Sequence, residues 1–298
     1  MPKKYLIIGA GGQVGQALKE ILGTQAILVG RNLFDLSKPS ELGPRIEAMK
    51  PDVVINAAAY TNVHLAEKEV ELAMAVNAQA PIEIAKACYK LGASFVTYST
   101  DYVYSGNELT PWKESDPIDP QNAYGRTKAA GEKLLTEWAP KDFKFLNLRT
   151  SWVYSFNGKN FVLTMLRLAA EREELKVVSD QVGAPTYAPH LALATLAMIE
   201  KLDLNPQLSG TYNCAAGGET SWFQFAEEIF KQARAQGFDL KVKTVHPIST
   251  AEFPTPAKRP RNSRLNQDRM HERFDVALPD WQMGLQECFR NIVQNKGV

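Results

Sequence analysis

A tyrosine standing four residues ahead of a lysine, in Tyr124-Gly125-Arg126-Thr127-Lys128, is the spacing in this chain with the clearest chemical content. At a helix start, residues i and i+4 share one face, so phenol and ammonium point the same way. That pair suits reduction of a ketone, where the oxygen must receive a proton as the carbon is reduced. A phenol of ordinary pKa, about 10, donates poorly at neutral pH, and the Lys128 ammonium is expected to lower it and make Tyr124 the acid. Upstream, Tyr98-Ser99-Thr100-Asp101-Tyr102 ends an apolar run in hydroxyls, and Thr100 is placed to hydrogen-bond the reacting oxygen. The pattern Y-x-x-x-K alone arises by chance, with a buried aromatic and a solvated lysine as the plain reading. Its weight comes from the company it keeps.

That company is Gly9-Ala10-Gly11-Gly12-Gln13-Val14-Gly15, where an apolar run hands over to a helical pattern. Glycines at 9, 12 and 15 let the backbone turn tightly and approach a pyrophosphate whose charge rests on the helix N-terminus. A nicotinamide dinucleotide is therefore the expected cofactor, with Lys128 also holding its ribose. Arg31, just past the second apolar run, favours a 2′-phosphate and hence NADPH, with NADH left open. Asp35 is a ribose ligand or the cap of the next helix. Asn56-Ala57-Ala58-Ala59-Tyr60-Thr61 supplies small residues where backbone passes a flat cofactor.

The elements that must position these residues follow from periodicity. Strands are expected at Tyr5–Gly9, Ala26–Val29, Val53–Asn56, Ser94–Ser99 and Phe145–Leu148. Helices are expected at Gln13–Leu22, Leu42–Met49, Glu71–Leu91 and Tyr124–Trp138, with a long loop over Ser105–Asn122. Near-continuous apolar strands between helices predict an α/β fold, a doubly wound parallel sheet that binds ligands at its carboxyl edge. Residues 1–150 would form this dinucleotide-binding domain, with some later segments returning to its sheet. Residues 151–298 would mainly form a smaller substrate-binding domain. There, helices are expected at Phe161–Arg172, His190–Lys201, Trp222–Gln236 and Gln282–Gln294, and strands near Lys176–Val178, Thr211–Cys214 and Lys241–Val245.

Composition narrows the partners. With 298 residues, 45% hydrophobic and 22% charged, the chain has an ordinary globular balance. A net charge of +1 leaves no field for nucleic acid or an anionic membrane. The cysteines, Cys88, Cys214 and Cys288, are odd in number and form no C-x-x-C pair, which argues against a disulfide framework or structural zinc. No apolar run approaches a bilayer span, and the run after Lys3-Lys4 is too short for a signal peptide, so a cytoplasmic protein is expected.

With these residues in place, the chain closely resembles the dTDP-4-dehydrorhamnose reductases, members of the extended short-chain dehydrogenase/reductase family. The resemblance runs nearly end to end. It is carried by Gly12-Gln13-Val14-Gly15, by the Asn56–Thr61 segment, by Ser99-Thr100-Asp101-Tyr102-Val103-Tyr104, and by Pro111-Trp112-Lys113-Glu114. It continues through Tyr124–Lys128 with Gly131-Glu132, Arg149-Thr150-Ser151-Trp152-Val153-Tyr154, Asn160-Phe161, Thr164–Arg167, Asp180–Thr186 and Arg259–Leu265. The resemblance implies a Rossmann fold of the extended type and reduction of the 4-keto group of dTDP-4-dehydro-L-rhamnose to dTDP-L-rhamnose. It implies Thr100, Tyr124 and Lys128 as catalytic residues. Gly12, Gln13, Val14, Asp35, Leu36, Ala59, Tyr60 and Thr61 would line the cofactor, with Gly9 and Arg31 from the residue-level reading.

Thr61, Val63, Asp101, Tyr102 and Trp152 would meet substrate, with Arg259 and Asn262 as diphosphate or sugar contacts. A guanidinium can hold two phosphate oxygens at once, although Lys258–Arg264 also reads as a solvated basic loop. Three positions depart from the pattern. His64 stands where Asp is usual after Thr-x-Val, Asn213 replaces a frequent His, and Ala17 replaces a Glu that binds Mg²⁺ at a dimer contact in some members. No metal is expected, and the oligomer is a monomer or homodimer. Two other readings share these residues: a reductase or epimerase of another nucleotide-linked 6-deoxy-ketosugar, and a non-catalytic dinucleotide-binding regulatory subunit.

Overall fold

A computed structural model describes residues 2–296. The strands in chain order are β1 (Tyr5–Ile8), β2 (Ala26–Val29), β3 (Val53–Asn56), β4 (Ser94–Thr100), β5 (Phe145–Thr150), β6 (Val153–Tyr154), β7 (Glu174–Val178), β8 (Val182–Gly183), β9 (Thr186–Tyr187), β10 (Gly210–Asn213), β11 (Thr220–Ser221) and β12 (Thr244–Ile248). The helices are α1 (Gln13–Leu22), α2 (Leu42–Met49), α3 (Val63–Ala66), α4 (Val70–Met74), α5 (Ala80–Leu91), α6 (Ala123–Trp138), α7 (Phe161–Glu171), α8 (Ala188–Leu204), α9 (Trp222–Ala235), α10 (Asp268–Phe274) and α11 (Trp281–Lys296).

Six strands form one parallel sheet in the order β10-β5-β4-β3-β1-β2. The Leu6–Ile8, Val53–Ile55 and Phe95–Val96 side chains are almost wholly buried, as both faces are covered. On one face Ile7, Ile55 and Val96 pack against Leu18 of α1 and Leu191 and Met198 of α8. On the other, Leu6, Ile8 and Val54 pack against Ile46 of α2 and Ile84 of α5. The chain leaves β1 for β2 on one side and returns to β3 on the other. The loops after β1 and β3 therefore part at this reversal and open a crevice at the carboxyl edge, the place where such sheets bind ligands.

A second core lies beyond this sheet. Val162 and Met165 of α7, Phe225 and Ile229 of α9 and Leu285 and Phe289 of α11 bury against Tyr154 and Tyr187. Segments within residues 151–298 belong to the first core instead: β10 completes the sheet beside β5, α8 packs against α1, and Met270 and Phe274 of α10 cover Tyr212. No helix among the described residues is long and apolar enough to cross a membrane.

Local departures have local causes. The strand expected at Lys241–Val245 runs instead over Thr244–Ile248, parallel to β7. Val242 is pulled into the second core and its N–H bonds the Ala169 carbonyl at the end of α7, so residues 241–243 are anchored before pairing begins. Pro247 is tolerated because this sheet has only two strands and therefore only edges. The helical stretch expected over Glu71–Leu91 is divided into α4 and α5 by a π-helical turn at Ala75–Gln79.

Candidate active site

The glycine loop is shaped by contacts that no side chain would survive. Gly9 has φ +93, and a Cβ on it would lie 2.6 Å from the Ala58 nitrogen; one on Gly15 would lie 2.3 Å from the Gly9 carbonyl oxygen. The loop therefore seats directly on the segment after β3. Helix α1 begins at Gly12 with no side-chain cap and no acidic residue in its first turn. Its first N–H groups lack intrahelical partners and face the crevice, a cradle of the kind that fits a pyrophosphate. Gln13 is fixed beside it, donating to the Val153 carbonyl at 3.4 Å and accepting from Asn160 Nδ2 at 3.0 Å.

Asp35 does not cap the next helix. Its Oδ1 accepts from the Ser37 N–H at 3.0 Å and the Ser37 hydroxyl at 2.7 Å, and these bonds hold its carboxyl below the usual carboxylate range. The turn keeps Asp35 and Leu36 beside Arg31 on the crevice wall. Opposite, buried Asn77 in the π-helical turn clamps Tyr60: its Oδ1 accepts from the Tyr60 N–H at 2.9 Å and its Nδ2 donates to the Tyr60 carbonyl at 3.1 Å. The same Nδ2 reaches Thr127 Oγ1 at 3.1 Å, tying the loop after β3 to α6. Asn77 was not among the expected site residues, because nothing in a helical pattern marks one buried amide in a π turn; such turns are frequent at functional sites.

Helix α6 is brought against the turn after β4 by Gly125 and against the π-helical turn by Gly131. A Cβ on Gly125 would lie 2.2 Å from the Tyr102 carbonyl oxygen, and one on Gly131 would lie 2.3 Å from the Asn77 carbonyl oxygen. Asn122 caps α6 by accepting from the Gly125 N–H at 2.8 Å. Tyr124 thus sits in the first turn and Lys128 one turn deeper, both over the β4 edge. The Lys128 Nζ donates to the Tyr98 carbonyl at 2.8 Å, and burial lowers its pKa to about 8, with the Glu132 charge pulling it back upward. Thr100 Oγ1 donates to Asp101 Oδ1 at 3.0 Å and accepts from the Tyr102 N–H at 3.2 Å.

The lowering of the Tyr124 pKa expected from Lys128 is not what the geometry produces. Burial pushes the phenol above its ordinary range, the Thr100 hydroxyl pulls it back as a hydrogen-bond partner, and the Asp101 charge raises it further. Lys128 spends its Nζ on the Tyr98 carbonyl instead. Tyr124 is accordingly held as a protonated phenol. Asp101, buried, is itself pushed up to about 6 by desolvation, against hydrogen bonds from Ser263 and Thr100.

One cavity of about 1030 Å³ joins these groups. Gly9, Gly12, Gln13, Val14, Arg31, Asp35, Leu36, Ala59, Tyr60 and Thr61 line it, and so do Val63, Thr100, Asp101, Tyr102, Tyr124, Lys128 and Trp152. Arg259 and Asn262 do not line it. Asn262 is buried and spends its amide on the loops, donating to the Glu108 and Thr110 carbonyls at 2.9 and 2.7 Å and accepting from Arg264 Nε at 2.8 Å. It builds the loop that carries Arg259 rather than facing the cavity. The residues after β5 also contribute. Buried Thr150 and Ser151 line the cavity with hydroxyls that have no protein partner, as does Ser99. Trp152 takes a left-handed φ of 50 between β5 and β6, stacked at 3.5 Å on Trp222. Its other neighbour is Gly183, where a Cβ would lie 2.7 Å from the indole. Strain of this kind persists where the surroundings over-determine it.

A family model described as the RmlD substrate binding domain matches residues 3–294. The chain belongs to this family. It is 43% identical to the dTDP-4-dehydrorhamnose reductase of Shigella flexneri over 293 residues, 96% of this chain and 97% of that protein. Among solved structures it resembles the dTDP-4-dehydrorhamnose reductase of Bacillus anthracis in complex with NADP, with a TM-score of 0.88 and 37% identity over 98% of this chain and all of that one. A reductase of Clostridium acetobutylicum gives a TM-score of 0.87 at 38% identity, covering 98% and 99% of the two chains.

The positions that depart from the family pattern have defined structural roles. Ala17 is buried in the first core against the sheet. Asn213, wholly buried, donates from Nδ2 to the Trp112 and Asn266 carbonyls at 2.8 and 3.1 Å, pinning the long loop after β4. His64 lies against Arg259, its Nε2 3.2 Å from the Arg259 Nη2.

Proposed function

We propose that this chain is an NADPH-dependent reductase of dTDP-4-dehydro-L-rhamnose that delivers dTDP-L-rhamnose. The observation that carries the reading is the single cavity joining the glycine cradle to Thr100, Tyr124 and Lys128. Bound there, NADPH supplies the hydride. The cradle formed by Gly9, Gly12 and the start of α1, with Gln13 and Val14, holds the pyrophosphate. Arg31 meets the 2′-phosphate, Asp35 and Leu36 flank the adenine-side ribose, and Ala59, Tyr60 and Thr61 back the rest of the dinucleotide.

At the other end, Thr100 and Tyr124 converge on the substrate oxygen. Tyr124 donates its proton to that oxygen, and the Thr100 hydroxyl, turning its one proton from Asp101 to substrate, donates a hydrogen bond that aligns it. The Lys128 ammonium, fixed by the Tyr98 carbonyl, holds the nicotinamide ribose. Thr61, Val63, Asp101, Tyr102 and the strained Trp152 form the sugar pocket. Residues 151–298, apart from 188–214 and 268–278, which stay with the sheet, form the smaller substrate-binding domain and bring Trp152 and Trp222 to this pocket. The test is to mix the purified protein with NADPH and enzymatically prepared dTDP-4-dehydro-L-rhamnose, follow loss of the reduced-nicotinamide absorbance and identify the sugar formed. Oxidation with dTDP-L-rhamnose as product is expected. A different sugar would move the specificity, and no turnover by folded, NADPH-binding protein would reject the reading.

A further inference from the structure

A dinucleotide brings a negative charge on each phosphate, and the groups already assigned leave part of that charge unanswered. Among the described residues, the cations lining the cavity are Arg31, Lys128 and Lys159. Arg31 follows β2, at the turn assigned to the 2′-phosphate. Lys128 is buried and spends its Nζ on the Tyr98 carbonyl at 2.8 Å. Helix α1 brings no side-chain charge in its first turn, and a helix dipole supplies only about half an elementary charge. That leaves Lys159.

Lys159 lies in the turn between β6 and α7, outside the glycine loop, yet the turn is seated on it. Gly158, at φ +76, brings the chain so close that a Cβ on it would lie 3.5 Å from Cγ of Gln13, the first residue of α1. On the other side, Asn160 Nδ2 donates to Gln13 Oε1 at 3.0 Å and to the Ser155 and Asn157 carbonyls at 2.8 and 3.0 Å. Its Oδ1 accepts from the Leu163 N–H at 3.0 Å and caps α7. The Lys159 backbone is therefore held between two residues that both touch Gln13. Its side chain is exposed, lines the cavity and makes no hydrogen bond or ion pair among the described residues. Free lysines are ordinary on a surface; this one is free beside a cradle for phosphate.

We propose that Lys159 is a cofactor-binding residue whose ammonium pairs with the dinucleotide pyrophosphate on the start of α1. Lysine serves such sites as a flexible point charge. Because α7 packs Val162 and Met165 into the second core, this contact also ties that core to the bound cofactor. The proposal rests on the NADPH reading above and is independent of which sugar is reduced.

Calorimetric affinities for NADPH and NADH are compared in wild type, Lys159→Met and Lys159→Arg, beside thymidine diphosphate binding to the NADP⁺-loaded protein. Both cofactors carry the pyrophosphate, so Lys159→Met is expected to weaken both by the same factor, about tenfold. It should also flatten the loss of NADH affinity with added salt. Lys159→Arg keeps the charge and should bind close to wild type, and thymidine diphosphate affinity should not change. The side chain is exposed, so the cofactor-free thermal midpoint should stay at the wild-type value in both variants. Unchanged NADH affinity in Lys159→Met would overturn the proposal, and so would a loss confined to NADPH, which puts the charge at the 2′-phosphate. Equal losses in the Met and Arg variants, or a loss of thymidine diphosphate alone, would do the same. These titrations need no ketosugar: a wild type that binds both cofactors but reduces none fails the proposed function, while the same comparison still decides Lys159.

Discussion

Tyr124 is assigned the proton donor's part although its environment raises its pKa, and the two facts are compatible. Burial and the Asp101 charge keep the phenol protonated before reaction, which is the state an acid needs. The group that sets the pH range is Lys128, whose pKa is lowered to about 8. Its ammonium is the proposed holder of the ribose, so kcat/KM is expected to fall above a limb near pH 8, read from a pH–rate profile. Loss of fold does not explain such a limb. Between about 8 and the ordinary 10.5 the unfolded chain binds more protons at this lysine than the folded one. The stability cost of burying its charge is therefore full below 8 and fades as pH rises. A profile flat to pH 10 would remove Lys128 from the role given to it.

At the scale of elements, α6 carries Tyr124 and Lys128, the proposed catalytic pair, and is held by a buried ion pair one turn beyond Lys128. Arg149 of β5 meets Glu132 through Nη2 at 2.6 Å and Nε at 3.0 Å, with Nη1 on the Tyr104 hydroxyl at 2.6 Å. The two side chains are 6% and 9% exposed, so Glu132→Gln strands a buried guanidinium. Removing one partner of such a pair costs about 3–5 kcal/mol, and a large drop in the urea midpoint is the expected outcome; an unchanged midpoint would refute the structural role. Much at this scale was legible beforehand. The alternation through Phe145–Leu148 and the glycine and Tyr–Lys spacings are local patterns, and the elements form where those patterns place them. What escaped depends on tertiary pairing. The Trp152–Trp222 stack joins residues seventy positions apart, Asn77 acts only through a π turn, and β12 begins at Thr244 because Val242 is claimed by α7. Thr150 and Ser151 stand in the sequence only within the Arg149–Tyr154 motif, past the expected strand and with no role assigned, although their buried hydroxyls reach the cavity. The direction of the Tyr124 shift was misjudged for a similar reason: the spacing puts Lys128 on the right face but cannot say that its Nζ turns to the Tyr98 carbonyl.

The whole molecule is two cores meeting across one cavity, joined by contacts such as Gln13 with Asn160 and His190 with Glu287 at 2.7 Å. A dinucleotide seated on the glycine cradle bridges both sides, so NADPH is expected to raise the thermal midpoint of the entire chain. Ligand at a hundred times its Kd adds about 2.7 kcal/mol. The Arg31 guanidinium should confine part of that gain to NADPH: in Arg31→Ala the NADPH-induced shift should shrink to the size of that given by NADH. Equal shifts by the two cofactors in the wild type would leave Arg31 without the 2′-phosphate.

The central claim is tested most directly by Tyr124→Phe, which removes one oxygen and keeps the ring. With NADPH and dTDP-4-dehydro-L-rhamnose, its kcat should fall by about 10²–10⁴, while NADPH binding measured by fluorescence stays at the wild-type value. Retained turnover in a folded, NADPH-binding Tyr124→Phe would contradict the account, because the proton would then come from a different group.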